Sequence, residues 1–293
     1  MRVLVTGAAG QVGHELMRQA PAGFNVSGFD SSQLDITSIE LVRQAVDRVR
    51  PNLIINAAAY TAVDKAETDQ EHAWAVNQTG VANLAAAAVA LDVPVLHIST
   101  DYVFDGTAST PYLETDSPGP TGVYGNSKLA GEQSLERLCD KHVVLRTSWV
   151  FAAHGNNFVR TMLRLAAQHD SLSIVADQRG GPTSAASIAA ALWQLAQQYR
   201  DKGDLPWGVY HYSGTPACSW FEFAEEIFTQ ACTLGMLEKT PAVNPITTAE
   251  YPTPARRPAW SVMDCSKLEQ YCGIRPAPWK DELQKVLKEL GAS

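Results

Sequence analysis

The sequence predicts an α/β protein in which a parallel sheet lies between two layers of helices. Through the first 150 residues, short apolar segments rich in β-branched residues alternate with longer helical patterns, and this alternation is typical of βαβ units. A glycine-rich turn follows the first apolar segment. Hydrophobic residues make up 45% and charged residues 18% of the 293-residue chain, so a sizeable core is available.

Each element of the first half follows from its length and composition. We predict buried parallel strands at residues 3–5, 24–29, 53–55, 95–98 and 143–145, which are short and apolar. Helices are predicted at residues 11–20, 38–50, 70–91 and 123–139. Thr37 or Ser38 is a suitable cap for the second helix, and Pro51 ends it.

The second half is less regular and prolines become frequent after Gly203. We expect helices at residues 157–169, 187–199 and 279–290 and one strand at residues 172–175. The interpretation is a sheet domain over residues 1–150, to which part of 171–212 returns, and a smaller region over 213–293. Since the sequence contains no linker signal, the two parts should share a cleft.

Charge and cysteine content exclude several classes of protein. The 23 Lys and Arg residues against 31 Asp and Glu residues give a net charge of −8, which argues against a nucleic-acid partner. No apolar run approaches the roughly 20 residues that span a bilayer, and the N-terminus lacks the pattern of a signal peptide. The five cysteines form no CxxC pair or metal spacing, so we expect reduced thiols, a cytoplasmic protein and no metal site.

The turn after the first strand carries Gly7, Gly10 and Gly13 in the spacing GxxGxxG. Such a turn lets the backbone approach a pyrophosphate closely, and the helix that follows, beginning with Gln11 and Val12, offers free N–H groups to the anion. Glycine turns also serve packing alone, but this one stands between a strand and a helix, as dinucleotide binding requires. We therefore predict a Rossmann-type, doubly wound fold that binds NADH or NADPH in its first domain.

Further cofactor contacts are predicted where strands end. Asp30 ends the second strand, where a carboxylate binds the adenosine ribose and favours NADH without excluding NADPH; the alternative is an Asp that only caps a turn. Asp35 and Ile36 could face the adenine. The segment Ala58, Ala59, Tyr60 and Thr61 follows the third strand, and its alanines suit either a close cofactor or the packing of helix on sheet.

Tyr124 and Lys128 form the single Tyr-x-x-x-Lys pattern of the chain. On a helix these positions share one face, so an ammonium group could help the phenol act as an acid. Thr100, at the end of the fourth strand, is a third candidate as a hydroxyl that holds the substrate oxygen. As isolated patterns, a solvated Tyr and Lys or a Thr in a turn would be the better interpretation; together with the glycine turn the three predict a catalytic site.

At these residues the sequence resembles the extended short-chain dehydrogenase/reductases. The similar segments cover nearly the whole chain: residues 7–13, 56–67, 99–106, 123–132, 146–151, 155–158, 180–184, 251–258 and 261–268. The resemblance implies Tyr124 as proton donor, Lys128 as its helper on the cofactor ribose and Thr100 as the hydroxyl at the substrate. It also implies that Asp101 and Trp149 contact a sugar nucleotide, that the smaller region binds substrate, and that NAD(P)H reduces the C4 keto group of a dTDP-linked sugar.

Two departures from the family pattern bear on assembly and on the substrate loop. Some members pair through magnesium held by glutamates from three places; Glu15 matches the first, but Ala186 and the end of the chain offer no others. We therefore expect a monomer or weak homodimer. Trp260 stands where an Asn is common, in a loop near the substrate.

Other functions remain open at this point. A dehydratase would carry Glu where this chain has Tyr102, and epimerases lack the Thr-Asp-Tyr-Val-Phe run, so another sugar-nucleotide enzyme is a weaker interpretation. A different class is a non-catalytic subunit similar to the regulatory subunit of methionine adenosyltransferase. For the substrate diphosphate we place Arg257 first among the cations, with an interdomain ion pair as the alternative for the Arg256-Arg257 pair.

Overall fold

The computed structural model describes residues 1–292. The strands in that part of the chain are β1 (Arg2–Thr6), β2 (Asn25–Phe29), β3 (Leu53–Asn56), β4 (Val95–Thr100), β5 (His142–Thr147), β6 (Val150–Phe151), β7 (Ser171–Val175), β8 (Arg179–Gly180), β9 (Thr183–Ser184), β10 (Gly208–His211), β11 (Cys218–Ser219) and β12 (Ala242–Ile246). The α-helices are α1 (Gln11–Arg18), α2 (Ile39–Val49), α3 (Val63–Ala66), α4 (Gln70–Trp74), α5 (Gly80–Ala90), α6 (Val123–Leu138), α7 (Phe158–Ala166), α8 (Ala185–Lys202), α9 (Trp220–Thr233), α10 (Ser266–Cys272) and α11 (Trp279–Gly291).

The central sheet has the strand order β2-β1-β3-β4-β5-β10, and its strands pair in parallel. From β1 the chain builds outward to β2 on one side and to β3 on the other, so the order reverses between β1 and β3. Thr6 and Asn56 are register partners at the carboxyl ends of these two strands. Ligands of doubly wound sheets bind in the crevice at such a reversal.

Helices cover both faces of the sheet because alternate residues of each strand point to opposite sides. On one face Val3, Val5 and Ile55 pack with α1 and α8. On the other face Leu4 and Ile54 pack with α2, α5 and α6. The predicted α/β class and doubly wound parallel sheet are confirmed.

The predicted helix over residues 70–91 differs from the structure in its middle. A π turn at Ala75–Thr79 separates α4 from α5. Asn77 in this turn is buried and its side chain bonds to the backbone of Tyr60. Such π turns occur often at functional sites, and this one places a buried polar side chain in the middle of the predicted helix.

The smaller region has its own apolar core, which Phe151, Ile174, Phe223, Trp279 and Leu287 exemplify. It draws on α7, β7, α9 and α11, and β7 pairs with β12. Residues 185–211, by contrast, supply α8 and β10 to the main sheet. We therefore propose a sheet domain over residues 1–150 and 185–212 and a smaller region that includes residues 151–175 as well as those after 213.

Two further properties of the fold concern membrane spans and cysteines. In residues 1–292 no helix is long and apolar enough to cross a membrane. The five cysteines, all within this range, are free thiols.

Candidate active site

The glycine turn lies at the strand-order reversal. Gly7 has a φ of +70°, and a Cβ there would come within 2.6 Å of the Ala57 backbone. A Cβ on Gly13 would stand 2.0 Å from the Gly7 carbonyl oxygen, so both positions require glycine. Gly10 caps α1 without a side-chain hydrogen bond, and the N–H groups of the first helical turn remain available to an anion.

A groove of about 530 Å³ runs from the glycine turn past the end of β2; we call it the glycine-turn groove. Asp30, Asp35 and Ile36 line it. The carboxylate of Asp30 also accepts hydrogen bonds from the Ser32 N–H and hydroxyl at 2.9 and 2.6 Å. Asp30 therefore caps a turn, as the alternative interpretation expected, and also lines the groove. The predicted segment splits between two cavities: Ala58, Ala59 and Tyr60 line this groove, while Ala59 and Thr61 line its neighbour.

That neighbour, a cavity of about 370 Å³ at the ends of β1, β4 and β5, is called here the strand-end cleft. It shares Gly10, Ala57 and Ala59 with the glycine-turn groove, so the two cavities adjoin. The structure brings most predicted site residues to its wall: Gly10, Gln11, Val12, Ala59, Thr61, Thr100, Asp101, Tyr124, Lys128 and Trp149. Gly13 lies outside both linings and acts through packing.

Tyr124 and Thr100 meet in this cleft because β4 ends beside the first turn of α6. Burial raises the pKa of Tyr124 above its ordinary value, while a hydrogen bond with Thr100 opposes that rise. Tyr102 packs edge-on against Tyr124 with ring centroids 5.4 Å apart. The phenol is therefore held in its protonated, proton-donating form.

Lys128 is 2% exposed, one helical turn after Tyr124. Its Nζ donates to the Ile98 carbonyl oxygen at 2.7 Å and lies 3.4 Å from Nε2 of His97. Burial lowers the pKa of Lys128 to about 8, against the opposing effect of the Glu132 charge. The amine is thus poised to change its charge near neutral pH.

The end of the cleft near β4 and β5 is polar, and some of its buried polar atoms have no hydrogen-bond partner. Asp101 is 2% exposed, and burial raises its pKa to about 6. Within residues 1–292, Asp101 Oδ2, Ser99 Oγ and Thr147 Oγ1 are buried atoms without a hydrogen-bond partner. All three residues line the cleft, and such atoms suit a ligand rich in hydroxyl groups.

Trp149 closes one side of the cleft in a strained conformation. Its φ is +48°, which is unusual for a bulky residue. The indole stacks on Trp220 of α9 with ring centroids 3.5 Å apart. The smaller region thereby holds a flat aromatic surface at the cleft.

Arg257 lies apart from the other predicted substrate residues. It lines a separate groove of about 810 Å³, the C-terminal groove, together with Arg256. Its guanidinium pairs with Asp64 of α3 at 2.5 Å and donates to the Tyr102 hydroxyl at 3.1 Å. The predicted alternative, an ion pair to the other part of the chain, is therefore present, whereas Arg256 is exposed and forms no ion pair in the described residues.

Sequence reasoning missed Asn77 and His97. Asn77 accepts the Tyr60 N–H at 2.9 Å and donates to the Ser127 hydroxyl at 3.0 Å, which joins the segment after β3 to α6. Because Gln78 and Thr79 follow it directly, the sequence carried no signal that singled out Asn77. His97 resembled an ordinary strand residue, and nothing in its spacing pointed to Lys128.

The residues around Glu15 do not fit a magnesium site built from glutamates. One oxygen of Glu15 accepts from Arg18 at 2.6 Å and from Gln19 at 2.8 Å, and Gln19 also bonds the backbone of Ala186, where a second glutamate would be needed. The rings of His14 and His154 lie beside Glu15 with their centroids 3.9 Å apart and their planes tilted by 46°. This ring contact, with the 3.1 Å hydrogen-bond distance between Nε2 of His154 and the Gln11 carbonyl oxygen, joins α1 to the loop before α7.

Known proteins match this chain over nearly its whole length. The family model described as RmlD substrate binding domain matches residues 1–292. A dTDP-4-dehydrorhamnose reductase of Aggregatibacter actinomycetemcomitans is 47% identical over 97% of this chain and 98% of that protein. The chain belongs to the dTDP-4-dehydrorhamnose reductase family.

Members of this family from other bacteria share sequence and fold with the chain. The reductase of Escherichia coli K12 is 41% identical over 99% of this chain and 98% of its own length. The crystal structure of the Bacillus anthracis reductase in complex with NADP superposes with a TM-score of 0.91 at 38% identity, covering 98% of this chain and 99% of that one. The resemblance to the extended short-chain dehydrogenase/reductases is confirmed.

The raised pKa of Asp101 predicts a stability gain in Asp101→Asn. Burial favours the neutral carboxyl of Asp101 in the folded state. The contribution of this group to the free energy of unfolding is therefore fully present below the ordinary pKa of 3.8 and is lost as the pH rises through about 6. The gain in the free energy of unfolding over wild type should therefore grow by about 1 kcal/mol between about pH 5 and about pH 7.5. Urea unfolding at the two pH values measures it.

Asp105→Asn is the matched control. Hydrogen bonds from Thr107 and Tyr112 lower the pKa of this exposed carboxyl, so the substitution should bring no gain that grows with pH. A pH-independent difference between Asp101→Asn and wild type would contradict the prediction.

Proposed function

We propose that the chain catalyses the NAD(P)H-dependent reduction of the C4 keto group of dTDP-4-dehydro-L-rhamnose, which yields dTDP-L-rhamnose. The observation that carries the proposal is the meeting of Thr100, Tyr124 and Lys128 in one cleft that adjoins the glycine turn. A non-catalytic subunit of this fold would have no need of a buried acid, a buried amine and unpaired polar atoms in the same cavity. The curated relatives named dTDP-4-dehydrorhamnose reductase support the same reaction and substrate.

The residues present fit a nicotinamide dinucleotide. The glycine turn leaves space that a Cβ would fill, and the uncapped start of α1 would hold the pyrophosphate. Asp30, Asp35 and Ile36 in the glycine-turn groove would receive the adenosine end, and Lys128 the ribose of the nicotinamide end. When bound, the reduced nicotinamide supplies the hydride for C4.

The proton comes from the protein. Tyr124 donates it to the C4 oxygen as the keto group becomes an alcohol, and Thr100 holds that oxygen through its hydroxyl. Burial keeps Tyr124 protonated until the substrate oxygen becomes basic, and a positive charge on Lys128 stabilises the phenolate that remains. Because the cleft lies largely out of water, these charges act strongly on one another.

The sugar and the nucleotide diphosphate occupy different surfaces. The sugar lies in the strand-end cleft, where Asp101, Ser99 and Thr147 offer polar atoms and Trp149 offers a flat apolar face. The diphosphate extends toward the C-terminal groove, which adjoins the cleft at the contact between Tyr102 and Arg257. In a chain of net charge −8, this groove brings three arginines to one surface, Arg179, Arg256 and Arg257, together with Asp105 and Asp177.

Turnover of Tyr124→Phe tests the reaction. The substitution keeps the ring and removes the proton donor, so we expect kcat to fall about 100-fold or more while NADPH affinity is nearly retained. The assay follows NADPH consumption with dTDP-4-dehydro-L-rhamnose. Tyr112→Phe, which removes a phenol that bonds Asp105 outside the cleft, should keep kcat within about twofold.

Two results would count against this function. Wild-type turnover in Tyr124→Phe would remove the phenol from the mechanism. Wild-type protein that binds NADPH but never reduces the keto sugar, and that co-purifies with a synthetase, would favour the non-catalytic alternative.

Cofactor selection is expected to depend on Asp30. A carboxylate in the glycine-turn groove should repel a ribose 2′-phosphate, so Asp30→Ala should shift the ratio of kcat/KM for NADPH and NADH toward NADPH by about fivefold or more. Asp35→Ala, at the adenine, should lower both values together. An unchanged ratio in Asp30→Ala would assign Asp30 to its turn with Ser32 alone.

Arg256 and Arg257 are expected to contribute alike to substrate binding but differently to stability. Each substitution by alanine should raise the KM for the dTDP-sugar about tenfold at low salt, with a smaller effect at high salt. Arg257→Ala should also lower the melting temperature, because Asp64 loses its partner, whereas Arg256→Ala should not.

Arg275→Ala changes net charge equally but removes an exposed residue paired with Glu269, and it should leave KM unchanged. Unaltered KM in both Arg256→Ala and Arg257→Ala would move the diphosphate site elsewhere.

A further inference from the structure

A chain of buried polar side chains behind the strand-end cleft ends at Lys128. His97 on β4 is fully buried. Its Nδ1 lies 2.9 Å from Nδ2 of Asn56, and its Nε2 lies 3.4 Å from Nζ of Lys128. The imidazole therefore connects the end of β3 to the amine of the proposed active site.

The hydrogen bonds around Asn56 determine which nitrogen of His97 carries the proton. The N–H of Ala58 donates to Oδ1 of Asn56 at 3.1 Å, and the Thr6 hydroxyl donates to the same oxygen at 2.6 Å. Because a backbone N–H is only a donor, the carboxamide oxygen must face it, and the NH₂ group then faces His97. That group donates to Nδ1, so the proton of the neutral ring is on Nε2.

His97 remains neutral in this environment. Burial, with the charges of Lys128 and His142, holds the pKa of His97 well below its ordinary value. The Nε2–H group is consequently directed at Nζ of Lys128 whenever the protein is folded.

This arrangement distinguishes the two charge states of Lys128. A neutral amine accepts a hydrogen bond from Nε2–H while it donates to the Ile98 carbonyl oxygen. An ammonium group has no lone pair, so its N–H groups oppose that of His97. We propose that His97 is a positioning residue for Lys128, one that favours the neutral amine and holds Nζ against the end of β4.

The proposal rests on the proposed function for its consequence. Since Lys128 lies one helical turn from Tyr124, the charge on its amine affects how readily the phenol gives up its proton, and His97 then sets the pH above which reduction declines. Other titratable groups act on the same residues: Glu132 on Lys128, His142 on His97, and Asp101 and Tyr102 on Tyr124. None of these donates a hydrogen bond to Nζ.

An NMR titration of Lys128 tests the proposal without any need for turnover. Full-length protein carrying isotope-labelled lysine is titrated without added cofactor, and Lys128→Met assigns the signal of the side-chain ε-carbon. His97→Met removes the N–H donor, so the titration midpoint of Lys128 should rise by about half to one pH unit, the value expected for one neutral hydrogen bond.

His97→Gln is the conservative variant. Its carboxamide can accept from Asn56 and donate to Lys128, so the midpoint should return to within about a quarter of a pH unit of wild type. Thr6→Val is the control for loss of a buried polar group, because the Ala58 N–H still orients Asn56; its midpoint should match wild type. In enzyme assays, the decline of kcat/KM at high pH should shift with the midpoint in His97→Met.

A folded His97→Met with an unchanged or lower midpoint would overturn the proposal, as would a His97→Gln that shifts as far as His97→Met. Should His97→Met fail to fold, Asn56→Ala replaces it: the ring can then turn a lone pair toward an ammonium, and the Lys128 midpoint should again rise. A midpoint equal to wild type in that variant would also overturn the proposal. Failure of the proposed reaction would leave the NMR result intact, so the two conclusions are separable.

Discussion

The carboxamide of Asn56 is the interaction on which the arrangement of the site depends. It accepts hydrogen bonds from Thr6 on β1 and from the Ala58 N–H, and it donates to His97 on β4. Three neighbouring strands are thus held together by one fully buried side chain. Because the strand order reverses at this place, the close approach of Gly7 to Ala57 and the position of Lys128 both depend on it.

The sheet and its helices could be predicted because their signals are local. The apolar segments of β1, β3 and β5 and the cap of α2 at Ser38 appear in short windows of sequence, and each window is sufficient to define its element. The glycine turn with Tyr124 and Lys128 was predictable for a related reason, since those residue types are needed at those spacings. The spacing of these residues did not specify which other residues they contact.

The features that escaped prediction are contacts between segments far apart in sequence. An interdomain ion pair of Arg257 was one of the expected alternatives, but its partner was not: Asp64 pairs with Arg257 and accepts from the Ala255 N–H, 191 residues away in sequence. No periodicity in either segment reports this pairing. The same holds for Asn77 with Tyr60, where tertiary hydrogen bonds accompany a π turn in a segment that the sequence predicts as one continuous helix.

The stacked pair of Trp149 and Trp220 joins the two parts of the molecule while the backbone of Trp149 is in a left-handed conformation. The left-handed backbone at Trp149 costs about 1–2 kcal/mol, and the stacked indole on α9 offsets much of it. We therefore expect natural substitutions of Trp149 and Trp220 to occur together. Replacement of Trp220 with a small residue removes the support for Trp149, so we expect a lineage that loses one tryptophan of the cleft wall to lose the other as well.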